Sequence, residues 1–129
     1  MNSRGQASIE LLILVGFLLA GFVIFMIVIN ENLSGKINDR ENFEINEIAL
    51  MVRNEIDLAH SSIDGYRREF ILPDKTFYGD YDISLIEGAV FVQSSDGKHA
   101  VSLLVKNATG ELLKSKNIIR RLDGVVTIN

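Results

Sequence analysis

The sequence predicts an α+β fold in which a long N-terminal α-helix, membrane-spanning in its lower half and amphipathic in its upper half, packs on a small antiparallel β-sheet head. Three observations carry this expectation. Leu11 to Ile29 is a block of nineteen residues without a formal charge. Ile45, Ile48, Val52, Ile56, Ala59 and Ile63 then recur at spacings of three and four, the signature of one apolar helix face. From about Tyr66 the pattern changes to short runs rich in Phe, Ile, Val and Tyr, divided by turn residues.

At about 1.5 Å per residue the uncharged block makes a helix of about 28 Å, close to the roughly 30 Å hydrocarbon thickness of a bilayer. Arg4 is the basic residue before it, and Glu31, Lys36, Asp39, Arg40 and Glu41 follow it. This asymmetry favours a cytoplasmic N-terminus, with the hundred or so residues after Asn30 outside. A secretory leader is the rival reading of such a segment. It needs a small-x-small cleavage site, and near Ala20 and Gly21 that pattern is broken by Leu18, after which Phe22 to Ile29 continues the apolar run.

The residues ahead of the block are Arg4-Gly5-Gln6-Ala7-Ser8-Ile9-Glu10. A basic residue, a small residue, then Gln6, Ser8 and Glu10 at alternate positions, followed directly by the hydrophobic helix, resembles the class III signal peptide of archaeal type IV pilins. The resemblance covers about the first thirty residues. It implies that a membrane-embedded prepilin peptidase cuts between Gly5 and Gln6, so that the apolar helix is retained. It also implies that Glu10, fifth in the mature chain, neutralises the N-terminal amine of its own or a neighbouring subunit during filament assembly. The residues support the geometry independently, because Gln6 and Glu10 are four apart and share a helix face. A carboxylate here also complements the helix dipole, which is the plainer role. The partners implied are the membrane, the peptidase, identical or related pilin subunits and the assembly machinery, with adhesion at the cell surface as the outcome.

Within the block, Gly16 and Ala20 form a small-x-x-x-small pair that permits close approach of a second helix, and Gly21 adds a notch beside it. Four segments follow: a leader over residues 1–5, the apolar helix over 6–30, an amphipathic helix over 31–65 and a β head over 66–129. Gly35 marks a possible kink or break, and Ser61, Ser62, Asp64 and Gly65 supply the stop. Strands are expected at Glu69–Leu72, Tyr81–Glu87, Ala89–Ser94, His99–Lys106, Asn117–Leu122 and Val125–Ile128. Tight turns at Glu87-Gly88, Ser95-Asp96-Gly97, Asn107-Ala108-Thr109-Gly110 and Asp123-Gly124 favour an antiparallel meander. A head of this size without a cysteine needs the amphipathic helix to complete its core.

The remaining chemistry is sparse. The chain has 129 residues, no Cys and a formal charge of −4, so it lacks disulfides, thiolate metal sites and the basic stripe that nucleic acid requires. No cofactor is expected, and no nucleophile–base or phosphate-loop motif points to an enzyme. Two sequons, Asn32-Leu33-Ser34 and Asn107-Ala108-Thr109, are eligible for N-glycosylation if they lie outside the cell, Asn107 being the better acceptor because it sits in an expected turn. His60 and His99 read as ordinary surface or boundary residues. Asp74, Asp80 and Asp82 lack the ordered spacing of a calcium loop. Arg67-Arg68 and Arg120-Arg121 are expected to form a basic patch on neighbouring strands. A single-pass surface binding module that does not polymerise, and a secretion pseudopilin, fit the same pattern.

Overall fold

The structure, a computed structural model, describes residues 3–129, with side chains from Gly5 onward. Helix α1 (Ser3–Ser61) is followed by strands β1 (Arg67–Ile71), β2 (Tyr81–Ile86), β3 (Ala89–Ser94), β4 (Ala100–Leu104), β5 (Ala108–Gly110), β6 (Lys116–Leu122) and β7 (Val125–Ile128). The chain divides into two compact units, Met1–Asn38 and Asp39–Asn129.

In the first unit α1 is apolar on every side between Leu11 and Ile29, and it is long and apolar enough to cross a membrane. The helix does not break at Gly35 as the sequence had suggested. One glycine weakens a helix by only about 1 kcal/mol. On its N-terminal side the Asn32 amide donates to the Val28 carbonyl at 2.9 Å and the Ser34 hydroxyl to that of Asn30 at 3.0 Å, so both polar side chains fold back onto the helix.

The second unit is the head. The expected stripe holds from Ile45 to Ala59, where Ile45, Ile48, Ala49, Val52, Ile56 and Ala59 are all buried. Ile63 departs from it and is 85% exposed, because α1 has already ended at Ser61. The stop is built from polar groups. The Ser61 and Ser62 hydroxyls donate to the Asp57 and Leu58 carbonyls, and the Arg121 guanidinium donates to those of His60 and Ser62. These bonds satisfy carbonyls that a helix C-terminus leaves open.

The strands form two sheets, where the sequence had pointed to one antiparallel meander. One has the order β1-β6-β7-β5 and the other β2-β3-β4. Three expected turns are present as hairpin connections: Gly88 between β2 and β3, Gly97 between β3 and β4, and Asp123-Gly124 between β6 and β7, with positive φ at each. Two features break the meander. Beyond β1, Pro73 and a Thr76–Gly79 turn carry the chain away, so β1 pairs with β6 instead of β2. The expected turn at Asn107–Gly110 is a bend at Asn107 followed by β5, which lies parallel to β7. Gly110 has φ +126°, and a Cβ there would lie 1.8 Å from the Ile128 carbonyl oxygen, so only glycine allows this close pairing.

Both sheets turn alternate residues toward the helix. Phe70, Ile119, Val126 and Ile128 come from one, and Tyr81, Val90 and Val92 from the other. Buried Asn117 is fully engaged: its amide donates to the Leu113 carbonyl at 2.7 Å, and its oxygen accepts from the Leu113 amide at 2.8 Å and from Asn129 at 3.0 Å. That network fixes the irregular stretch between β5 and β6. Tyr81 is buried with its hydroxyl donated to the Pro73 carbonyl, and burial pushes its phenol up to about 12.

Candidate functional site

The N-terminal motif lies on the first turns of α1. There the Gln6 amide donates to Glu10 Oε1 at 3.3 Å, so the two side chains share one face as their spacing requires. Ser8 is exposed nearby, and the Arg4 side chain lies outside the described residues. Gly5 has no neighbouring atom within 4 Å of where a Cβ would stand. The same is true of Gly16 and Gly21, and Ala20 is exposed. The small-residue notch is thus open on the helix surface.

Sixteen large apolar side chains between Leu11 and Ile29 are each 37% to 76% exposed. Leaving so many in water costs on the order of tens of kcal/mol at about 1.5–3 kcal/mol per fully buried side chain. Among the described residues none covers them, in keeping with a helix apolar enough to cross a membrane.

The two sequons differ in backbone. Asn32 is inside α1 with its amide tied to Val28, whereas Asn107 is exposed at a bend, where its own carbonyl accepts from His60 Nε2 at 2.7 Å. The histidines are boundary residues that tie α1 to the strands. His99 meets Asn42 Oδ1 through Nδ1 at 2.8 Å and Glu41 Oε2 through Nε2 at 3.4 Å. No local spacing in the sequence signals either contact.

Of the expected basic patch, Arg67 and Arg120 do meet on neighbouring strands, whereas Arg68 and Arg121 turn to acidic partners. Asp80 pairs with Lys114 at 2.7 Å, and hydrogen bonds from the Lys114 ammonium and the Tyr81 amide hold its carboxyl below the usual range. Among the described residues no three His, Cys, Asp or Glu side chains gather to hold a metal ion. The arginine pairs split by strand alternation. Arg68 turns toward Glu55 at 3.5 Å and Arg121 toward Asp64 at 3.2 Å. Arg67 and Arg120 point outward and stand directly opposite each other in the β1–β6 register.

One open groove of about 330 Å³ runs between α1 and the β1–β2 connection, lined by Glu44, Glu47, Ile48, Met51, Pro73, Lys75, Thr76 and Phe77. Phe77 is 87% exposed and its amide donates to Glu44 Oε2 at 2.8 Å, which pins the loop to the helix. Comparison with protein-family models, curated proteins and solved structures finds no match for this chain.

Proposed function

We propose that this chain is the precursor of an archaeal type IV pilin-like subunit, processed before Gln6 and assembled into a surface filament through its apolar helix. The observation that carries the reading is the join of three features on one helix. A Gly5-Gln6 junction stands ahead of Glu10, an apolar stretch is uncovered on all sides, and the same helix continues to Ser61, whose last turns form the wall of the head's core. A helix uncovered all round exchanges lipid for neighbouring helices at little cost, since lipid tails are as apolar as the side chains that replace them. Glu10 supplies the specific element. After cleavage the new amine at Gln6 lies one turn away on the same face, and a carboxylate at the edge of the hydrocarbon is stabilised by such a partner. Major and minor pilins and pseudopilins share this reading.

Intact-mass analysis of the protein from its native membrane tests the processing, with a chain beginning at Gln6 expected. A product beginning at Met1 points instead to an uncleaved, membrane-anchored binding module. Gly5→Leu should leave the precursor uncut, and because no described residue beyond its own helix backbone and chain neighbours lies within 4 Å of where a Cβ would stand, a loss of cleavage reports on the peptidase and not on folding. Glu10→Ala should be cut and inserted normally yet give few surface filaments by electron microscopy. A normal filament yield from that variant would remove the assembly role.

A further inference from the structure

The outer face of the β1-β6-β7-β5 sheet carries an unusual charge placement. Arg67 and Arg120 face each other directly across β1 and β6, and neither has an ion-pair partner among the described residues, although Arg68 and Arg121 beside them do. Like charges directly opposite on a sheet are destabilising. The same face carries apolar side chains turned to solvent, with Ile71 67%, Leu122 62% and Val125 54% exposed, and a Glu69–Lys116 ion pair at 2.7 Å. The groove beside α1 has the complementary character. Glu44 and Glu47 flank it without an ion-pair partner among the described residues, and Phe77 and Phe43 stand 87% and 64% exposed at or beside it, with Lys75 lining it and Arg40 beside Phe43 as the basic residues.

We propose that these two surfaces are the halves of one interface: the Arg67–Arg120 face of one head docks on the Glu44–Glu47 groove of a second copy of this chain. Charge complementarity selects the partner. Two arginines without an ion-pair partner, beside exposed apolar side chains, match two carboxylates without one, beside exposed phenylalanines, and both surfaces belong to the same molecule. The two halves share no residue, so the contact is heterologous. It leaves a free half at each end and propagates instead of closing as a symmetric dimer. This inference deepens the filament reading and rests on it for its setting, while its geometry is carried by the head alone.

Because the chain has no cysteine, crosslinking can be placed without interference. Met51→Cys in the groove and Thr127→Cys, opposite Arg120 in the β6–β7 register, leave all four charges in place. The full-length double variant, oxidised in native membranes, should give a ladder of crosslinked multimers, whereas either single variant should not. Adding Arg120→Glu should lower the crosslinked fraction about tenfold, as expected for like charges brought together, and adding Glu47→Arg as well should restore it to within about twofold. Arg120→Glu should meanwhile make the head more resistant to unfolding, since it turns a repelling cross-strand pair with Arg67 into an attracting one. Assembly and stability therefore move in opposite directions, which a merely structural role for Arg120 would not produce. No ladder, a ladder indifferent to Arg120→Glu, or dimers alone would each overturn the interface. Filaments without a ladder reject the interface and leave the filament reading intact; a ladder without filaments does the reverse.

Discussion

Truncation of Ile56 to alanine tests whether the helix is a wall of the head's core. The side chain is fully buried among both sheets' inward residues, and Ile→Ala at such a site costs about 2–5 kcal/mol in lost transfer energy and residual cavity. A head spanning Asp39–Asn129 has a total stability of roughly 5–14 kcal/mol at about 0.05–0.15 kcal/mol per residue, so the loss is a large share of it. Amide hydrogen exchange of the full-length chain in detergent reads this directly. The slowest amides of β3 and β6 should exchange about 30-fold to several thousand-fold faster, at about 1.4 kcal/mol per tenfold. Ile63→Ala is the control. That residue continues the same sequence period but is 85% exposed, so its truncation should change those rates by no more than about twofold. Equal effects from the two variants, or unchanged protection in Ile56→Ala, would refute the claim that α1 closes the core.

Asp96 accepts from the Ser94 hydroxyl at 2.6 Å and the Lys98 amide at 3.0 Å, which hold its carboxyl at about 2 against an ordinary 3.8. The unfolded chain binds this proton more readily, so the turn's contribution is complete above about pH 4 and is lost as pH falls toward 2. NMR titration of the Asp96 carboxyl and of the Lys98 amide should show that window, and Asp96→Asn should abolish it; a titration near 3.8 would contradict the geometry. If the head is exported as proposed, the exposed bend at Asn107 is the preferred sugar acceptor. Asn107→Gln should then remove glycan mass while Asn32→Gln, inside the helix, should leave it unchanged; glycopeptide mass spectrometry separates the two.

What the sequence discloses follows the range of the interactions concerned. The helix period from Ile45 to Ala59 and the Gly88, Gly97 and Gly124 turns are local, and each stands where the residues indicate. Ile63 shows how a stop outranks a period: Ser61, Ser62 and Gly65 were visible, and they end the helix before the repeat does. Non-local pairing is hidden. Ala108-Thr109-Gly110 has poor strand propensity and becomes β5 only because β7 lies alongside and Gly110 tolerates the contact. The same limit divides the candidate surfaces. The Gln6–Glu10 relation follows from a spacing of four, whereas which of Arg67, Arg68, Arg120 and Arg121 face outward depends on strand register.

The head and the apolar stretch of α1 pose opposite packing problems. The head's core is closed, with Val52, Ile56, Tyr81, Ile119 and Ile128 fully buried and Asn117 satisfied within it. The side chains between Leu11 and Ile29 are exposed among the described residues, and on the proposed reading they find their partners outside the chain. Lipid and a bundle of like helices serve almost equally well for the hydrocarbon, which means that burial alone gives little preference for a filament over a membrane. Preference has to come from groups that distinguish the two settings. On the proposed reading that group on the helix is Glu10, whose carboxylate is costly in lipid and would be satisfied beside the amine freed at Gln6; on the head it is the pair of complementary charged faces, which would gain only when a second copy is present. On that reading the apolar segment sets where the chain resides, and a few charges decide whether it stays single.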